Sequence, residues 1–184
     1  LCDLATVTHR AGYKVALLDN VFRYDFRWQQ FCDLCARHRP RIIGLSTTFL
    51  VNPELVAKLL KRIREQSGDA IIVRGGPTVR KASSLHELVD YVVFGSGELP
   101  LLGILAALEG RCAIESIPSI AYRDASGVLQ YTESKGNTLV KLGHAFRMRD
   151  DEARPSPDGG GYGRSRTSVV WLEASRGCQY DCYD

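Results

Sequence analysis

The 184-residue sequence contains no long apolar run and no marked excess of charge of either sign. No segment approaches the roughly 20 consecutive apolar residues that a membrane-spanning helix needs. Lysine and arginine total 24 against 21 acidic residues, a net charge of +3, and they are interleaved along the chain. Nucleic-acid-binding domains normally concentrate basic residues on one face. The composition, 45% hydrophobic and 24% charged, therefore favours a soluble cytoplasmic protein with neither a membrane segment nor a strong nucleic-acid signal.

Two signatures of nucleotide and phosphate chemistry are also missing. No G-x-G-x-x-G motif follows a first strand, so a stand-alone nucleotide- or flavin-binding protein is the weakest of the candidate functions. No clear acidic cluster stands at the predicted strand ends, which disfavours a receiver-like phosphoacceptor. Because Leu1 is not preceded by a Met and Asp184 falls within a cysteine motif, we expect an excerpt of a longer protein.

Three short apolar runs organise the chain, at residues 42–48, 70–77 and 91–98. Each begins with β-branched or aromatic residues and ends in small or hydroxyl residues, a pattern typical of parallel strands buried on both faces. In open α/β sheets, ligands bind beyond the carboxyl ends of the strands. These ends predict a ligand-binding edge, here called the crest, which comprises Ser46, Thr47, Thr48, Gly75, Gly76, Pro77, Gly95, Ser96, Gly97 and Glu98.

Helical patterns separate these strands. The alternation predicts an α/β fold, a Rossmann-like (flavodoxin-like) parallel sheet with helices on both faces. Asn52 followed by Pro53 predicts a capped helix start, and Gly68 predicts its end. A hairpin with its turn at residues 124–127 predicts an antiparallel edge. The other predicted elements are a helix at 1–10, a strand at 14–18, a helix at 27–38, a weak helix at 81–89 and a helix at 98–110.

No predicted strand precedes the first helix, although a doubly wound domain normally begins with one. We therefore expect the first, central strand to lie upstream of Leu1 and to be missing here. Its place in the sheet would then be vacant. The strands at 14–18 and 42–46 would lie roughly 10 Å apart, about two strand spacings, rather than being paired directly.

The cysteines of the predicted second helix allow two interpretations. Cys32 and Cys35 form a C-x-x-C pair on an apolar helical face with Trp28 and Phe31. A metal or redox site is one interpretation, and two small hydrophobic residues on a buried stripe is the other. The stripe is favoured because no second cysteine pair stands at zinc spacing. The histidines are interpreted as surface or structural residues: His9, His38, His86 and His144.

A new apolar strand begins at Ser168, after a linker of little periodicity at residues 133–167. A Ser-Arg-Gly sequence then leads into Cys178 and Cys182. This tail resembles the opening of a radical S-adenosylmethionine barrel, whose C-x-x-x-C-x-x-C motif holds a 4Fe-4S cluster with one open iron. The resemblance implies that Cys178 and Cys182 are cluster ligands. It also implies that the cluster binds S-adenosylmethionine and cleaves it to a 5′-deoxyadenosyl radical.

The region from Leu1 to about Tyr122 resembles the cobalamin-binding domain found directly before such barrels. The matching strand ends are Gly44-x-Ser46, Gly75-Gly76-Pro77 and Gly95-x-Gly97-Glu98. The resemblance implies a radical S-adenosylmethionine enzyme, most commonly a methyltransferase that uses methylcobalamin on a small-molecule substrate. It also implies an external electron donor such as flavodoxin or ferredoxin. The chain then divides into a cobalamin-binding domain with its terminal hairpin at 1–132, the linker, and the start of a truncated (β/α) barrel at 168–184.

The residues of the crest suit this cofactor. Glycines let the backbone approach a broad, flat corrin closely, and the hydroxyls of the first strand end suit its amides and nucleotide tail. Two features depart from related patterns: the D-x-H-x-x-G loop that ligates cobalt in many cobalamin proteins would precede Leu1, and Thr78 stands where many members carry histidine. A second hypothesis keeps the fold but has it dock a substrate or partner beside the barrel, without cobalamin.

Overall fold

A computed structural model describes residues 2–19, 25–47, 52–76, 79, 83–134 and 168–173. Among these residues, no helix combines the length and the apolarity that crossing a bilayer demands. The helices are α1 (Cys2–Arg10), α2 (Asp25–His38), α3 (Pro53–Ser67) and α4 (Glu98–Leu108), with 3-10 helices at Ser83–Leu88 and Ile114–Ser116. The strands are β1 (Lys14–Asp19), β2 (Ile42–Ser46), β3 (Ile71–Gly75), β4 (Tyr91–Val93), β5 (Ile120–Arg123), β6 (Leu129–Tyr131) and β7 (Ser168–Glu173).

The described strands form one sheet in the order β1-β7-β2-β3-β4-β5-β6. The first five strands in that order run parallel to one another. β5 then pairs with β4 antiparallel, and β6 completes a hairpin with β5. The predicted parallel sheet with an antiparallel edge is therefore confirmed. Because the parallel strands share a direction, their carboxyl ends lie along one edge.

An apolar core lies on each face of the sheet. Neighbouring residues of a strand point to opposite faces, and in β2 Ile42 and Ile43 are both buried. Ile43 belongs to the core that includes α2 and α3, while Ile42 belongs to the core that includes α4. Burying a large aliphatic side chain contributes about 1.5–3 kcal/mol, so apolar residues on both faces hold the helices to both sides of the sheet.

The turn and capping residues act as the sequence predicts. Asn52 Oδ1 accepts hydrogen bonds from the backbone N–H groups of Glu54 and Leu55, at 2.9 and 3.4 Å. Gly68 ends α3 with φ +58°, and its N–H donates to the carbonyl of Arg64 at 3.0 Å. In the hairpin turn, the Asp124 carboxylate accepts from the N–H groups of residues 126 and 128 at 2.9 and 3.0 Å. Local hydrogen bonding therefore sets these boundaries.

The weak helix predicted at residues 81–89 is, in its described part, the six-residue 3-10 helix Ser83–Leu88. The N–H of Asp90 donates to the carbonyl of Ile72 at 3.0 Å, and the Asp90 carboxylate accepts from the N–H of Ile72 at 2.7 Å. These bonds tie the end of the segment back to β3.

β7 fills the place in the sheet that the sequence analysis expected to be vacant. β1 and β2 stand two strand spacings apart, as expected, but β7 lies between them and parallel to both. Val170 is opposite Ala16 on one side and Ile43 on the other. Open edges of β1 and β2 would present unpaired N–H and C=O groups, which an apolar segment in β conformation satisfies. The strand expected to open a separate barrel thus belongs to the first sheet in this structure.

Replacing Val170 by proline tests this placement of β7. Proline removes an N–H from a strand paired on both sides, so we expect the free energy of unfolding to fall by about 1–3 kcal/mol, as measured by urea denaturation. Gly160→Pro, in the predicted linker, is the control and should change this free energy by less than about 0.5 kcal/mol. An unfolding transition that Val170→Pro leaves unchanged would contradict the placement.

Candidate functional site

The crest lies where the carboxyl ends of three neighbouring parallel strands, β2, β3 and β4, meet the starts of α3 and α4. α1 packs with α4 on one face of the sheet, whereas α2 and α3 pack on the other. The chain therefore changes face between α1 and α2, which places a topological switch beside β2. In open α/β sheets, the crevice beyond the strand ends at such a switch is the usual ligand site.

Thr47 ties the end of β2 to the end of β3. Its backbone N–H and its Oγ1 both donate to the carbonyl of Gly75, at 2.9 and 3.1 Å, and the residue is fully buried. Thr47 therefore supports the crest from beneath, which departs from the hydroxyl contact to a ligand that the sequence analysis considered. Ser46 is opposite Gly75 in the sheet and is only half-buried, in contrast to Thr47.

The described glycines of the crest serve different purposes. Gly76 and Gly95 have φ of +114° and +75°, a left-handed region in which glycine avoids the steric penalty of a Cβ. A Cβ at Gly97 would lie 3.1 Å from Cδ2 of Leu4, so a larger residue there would press on Leu4 where α1 packs on the start of α4. A Cβ at Gly75 would only make ordinary contacts at 3.9 Å. The fold itself therefore does not require a glycine at position 75.

The two helices that start at the crest differ in their caps. The first N–H groups of α3 are bonded to Asn52. α4 starts after Gly97, which has no side chain to cap it, and Ser96 and Glu98 on either side are half-buried. Uncapped N–H groups at a helix start, together with the helix dipole, favour an anionic ligand group such as a phosphate. The dipole at the start of α4 therefore favours an anion, whereas the carboxylate of Glu98 in the same first turn opposes one.

A buried polar cluster of Arg74 and His86 lies behind the crest, and the sequence analysis considered only His86, as a surface or structural residue. Arg74 and His86 are 1% and 2% exposed, and the ring of His86 lies 5.9 Å from Phe94 and 6.4 Å from Tyr131 between centroids. Burial lowers the pKa of Arg74 to about 10. Burial, and then the charge of Arg74, lower the pKa of His86. An arginine within the apolar run of β3 was the available signal, because charged residues are rarely buried without a role.

An open groove of about 410 Å³ lies at the opposite edge of the sheet. Glu65 and Arg64 from the end of α3, Asp90 before β4 and Arg123 at the end of β5 are among its lining residues. Arg64 pairs with Asp90 at 2.7 Å and donates to the carbonyl of Ala70 at 2.6 Å. These contacts join α3 to the amino ends of the parallel strands, so the groove is not part of the crest.

The buried-stripe interpretation of the C-x-x-C pair is confirmed. Phe31 and Cys35 are buried in one core, and Trp28 and Cys32 are partly buried beside them. Burial raises the pKa of Cys35 to about 11, which leaves little of the reactive thiolate at neutral pH.

Of the other predicted residues, some are described by the structure and some are not. His9 and His38 are exposed, and His86 has the structural role expected for it. In the described ranges, no group of three or more His, Cys, Asp and Glu residues has an arrangement suited to a metal ion. Five residues lie outside the described ones: Thr48, Pro77, His144, Cys178 and Cys182.

The parallel sheet, the glycine-rich crest at its switch point and the uncapped start of α4 define a Rossmann-like ligand-binding domain. The sequence of residues 2–105 matches the B12-binding family, described as the B12 binding domain. The chain belongs to this family. The match runs from α1 into α4 and contains every residue of the crest, which confirms the family predicted from the strand ends.

Several known proteins resemble the chain over most of its length. It is 25% identical over 146 residues to cytidylyl-2-hydroxyethylphosphonate methyltransferase of Streptomyces wedmorensis, which covers 69% of this chain and 27% of that protein. It is 28% identical over 128 residues to anaerobic magnesium-protoporphyrin IX monomethyl ester cyclase of Synechocystis sp., which covers 65% of this chain and 25% of that protein. The chain thus spans about a quarter of the length of the curated relatives it matches.

A solved structure shares the fold. It is that of the radical S-adenosylmethionine methyltransferase TsrM from Kitasatospora setae with cobalamin and a [4Fe-4S] cluster bound. The TM-score is 0.58 at 23% sequence identity, and the likeness covers 83% of this chain and 28% of that chain. The Rossmann-like α/β fold predicted from the sequence is therefore confirmed.

Gly97→Ala tests the steric account of the crest. The added methyl group would meet Leu4, and overpacking of this kind costs about 1–3 kcal/mol, so we expect the free energy of unfolding to fall by that amount. In a Leu4→Ala background the same change should cost less than about 0.5 kcal/mol, because the neighbour is gone. Gly75→Ala, which has room for the methyl group, is the matched control and should not destabilise the fold. Equal losses from Gly97→Ala in both backgrounds would refute the account.

Proposed function

We propose that this chain is the cobalamin-binding part of a radical S-adenosylmethionine enzyme, with methyl transfer from methylcobalamin as its reaction. The observation that carries the proposal is the B12-binding family match over residues 2–105, which contains the whole crest. The TsrM structure is by name a radical S-adenosylmethionine methyltransferase with cobalamin bound, which supports the same class of enzyme. Because the chain spans about a quarter of the curated relatives it matches, the reaction, substrate and partners belong to the proposal.

The described residues of the crest fit a corrin with a nucleotide tail. Gly75 and Gly76 at the end of β3, and Gly95 at the end of β4, present backbone without large side chains, so a flat macrocycle can lie close to the sheet edge. Ser46 offers a hydroxyl to the corrin amides or the tail. The uncapped start of α4 after Gly97 suits the phosphate of the tail. These residues would hold the cofactor, which supplies a transferable methyl group when bound.

Gly75 is the crest residue that supports a fit to cobalamin most strongly. Its neighbours leave ordinary room for a methyl group, and β-strand positions normally favour a larger residue than glycine. The folded chain therefore gives no reason for glycine at position 75, whereas close approach of a corrin does. Thr47 anchors the Gly75 carbonyl by two hydrogen bonds, so the backbone at this point is held in place before the cofactor arrives.

The remaining elements of the proposal come from the tail and from the relatives. Cys178 and Cys182 are proposed as two thiolate ligands of a 4Fe-4S cluster that binds S-adenosylmethionine, with residues 133–167 as the linker. Two of the similar proteins are methyltransferases by name, which favours methyl transfer to a small-molecule substrate over other radical reactions. A cytoplasmic location and an electron donor such as flavodoxin or ferredoxin remain predictions.

Gly75→Ala is the variant that tests cobalamin binding most directly. The methyl group fits the folded chain but projects where the corrin would approach, so we expect the affinity for hydroxocobalamin to fall at least about tenfold, or ~1.4 kcal/mol, with no loss of folding stability. The affinity is measured by titration of the purified chain, followed through the corrin absorption spectrum and through retention after desalting.

A control variant and a titration of the unmodified chain complete this test of cobalamin binding. Glu65→Ala, in the groove at the opposite edge of the sheet, should bind hydroxocobalamin as the unmodified chain does. An unmodified chain that leaves the corrin spectrum unchanged and retains no cobalamin after desalting would reject cobalamin binding. That result would favour the second hypothesis, a module that docks a substrate or partner on the same fold.

A further inference from the structure

His86 lies behind the crest and is bonded through both ring nitrogens. It is 2% exposed, with Nε2 3.2 Å from the carbonyl oxygen of Val79 and Nδ1 3.4 Å from the hydroxyl of Tyr131. A carbonyl only accepts hydrogen bonds, so Nε2 must carry the proton and donate to Val79. Nδ1 is then the acceptor, and the Tyr131 hydroxyl donates to it. The neutral imidazole in this one tautomer satisfies both partners.

The partners of His86 lead directly to two segments of the crest. The N–H of Val79 donates to the carbonyl of Gly76 at 3.1 Å, so the residue whose carbonyl His86 holds is itself bonded, through its N–H, to the crest after β3. Phe94, whose ring meets that of His86 edge-on at 5.9 Å, immediately precedes Gly95. Tyr131 stacks on Phe94 with centroids 6.1 Å apart. One side chain therefore connects the residues after β3, the residues after β4 and the hairpin.

We propose that His86 is a positioning residue for the cobalamin crest: as a neutral imidazole bridging Val79 and Tyr131, it fixes the backbone at Gly76 and Gly95. This inference rests on the proposed function for the identity of the ligand. The restraint of the backbone at Gly76 and Gly95 by His86 does not depend on which ligand binds. Both glycines have positive φ, so neither turn has a side chain to fix it, and the restraint comes from the neighbouring residues.

The charges around His86 set the direction of a pH effect. The charged or titratable groups that face it in the described residues are Arg74 from β3 and Tyr131 from β6. Burial, and after it the charge of Arg74, lower the pKa of His86 below its ordinary 6.5. Folding therefore favours the neutral ring, and this stabilisation is present above pH 6.5 and is lost as the pH falls through the lowered pKa. Protonation of Nδ1 would also break the hydrogen bond that this nitrogen accepts from the Tyr131 hydroxyl.

Three variants separate the contributions of His86. His86→Phe fills the space but makes neither hydrogen bond. His86→Gln has an amide that can donate to Val79 and accept from Tyr131, and it stays neutral at every pH. Tyr131→Phe removes only the hydroxyl, at a residue that is 59% exposed. All three are made in the full 184-residue chain, and their overall folding is checked by the protection of Ile63 in α3, which is remote from the crest.

The first measurement is amide hydrogen exchange without cobalamin, expressed as protection factors at about pH 7.5 and at a second pH below the lowered pKa of His86. The amides to follow are those of Val79 and Phe94, which donate to the carbonyls of Gly76 and Ser119. At the higher pH we expect His86→Phe to lower their protection about tenfold and Tyr131→Phe to lower it less. His86→Gln should retain most of the protection. The unmodified chain should lose protection at the lower pH, whereas His86→Gln should not.

The second measurement is the affinity for hydroxocobalamin at the same two pH values. We expect His86→Phe to bind about tenfold more weakly at the higher pH, and the affinity of the unmodified chain, but not of His86→Gln, to fall at the lower pH. If the unmodified chain binds no hydroxocobalamin while His86→Phe still lowers the protection of Val79 and Phe94, the proposed function fails and the positioning role stands.

Two results would overturn the inference itself. One is unchanged protection of Val79 and Phe94 in His86→Phe. The other is an equal loss of protection at Ile63, which would make His86 a general core residue rather than one that positions the crest. Each result is decided by hydrogen exchange alone, whether or not the chain binds cobalamin.

Discussion

The parallel register of β2 with β3 is the constraint on which the rest of the structure depends. Ser46 is opposite Gly75 in that register, and Thr47, one residue further on, donates two hydrogen bonds to the Gly75 carbonyl. A shift by one residue would turn every side chain of one strand to the other face, which would disrupt the packing of both cores and separate the strand ends. The same register that buries the two cores therefore also brings the glycine-rich ends together as a crest.

The crest combines two kinds of support. Beneath it, Thr47 holds the end of β3, and behind it the His86 ring holds the residues that follow β3 and β4. Around it, Gly97 lets α1 pack closely on the start of α4. The backbone at Gly75, which is half-buried, and at Gly95, which is exposed, is left without large side chains, while its position is set by buried neighbours. A site that is arranged before its ligand binds loses less entropy on binding, which suits a cofactor held by backbone contacts over a broad area.

The sequence predicted most of what local interactions decide. The Asn52 cap, the Gly68 stop and the Asp124 turn are each made by hydrogen bonds over a few residues. The residue types at these positions therefore predict them. The strand ends were equally visible, because strands buried on both faces must be apolar and the switch to glycine and serine marks where burial ends. Family membership followed from these ends, and it is confirmed.

What the sequence did not predict depends on contacts between distant segments. The insertion of β7 between β1 and β2 pairs residues more than a hundred positions apart, which no local pattern encodes. The segment predicted as a weak helix ends where Asp90 bonds to Ile72, 18 residues earlier in the chain. Thr47 and His86 look like ordinary polar residues in the sequence, and only the fold buries them against Gly75 and Val79. The site's outline was therefore predictable, whereas its supports were not.

The most direct test of the account uses cob(II)alamin, whose cobalt is paramagnetic, as a probe of position. Added to the isotope-labelled chain, it should broaden the backbone amide signals of Gly75, Gly95 and Gly97 and leave those of Arg64 and Asp90, at the opposite edge of the sheet, unaffected. Broadening centred on Arg64 and Asp90, or none at any described residue, would contradict the claim that the crest binds cobalamin.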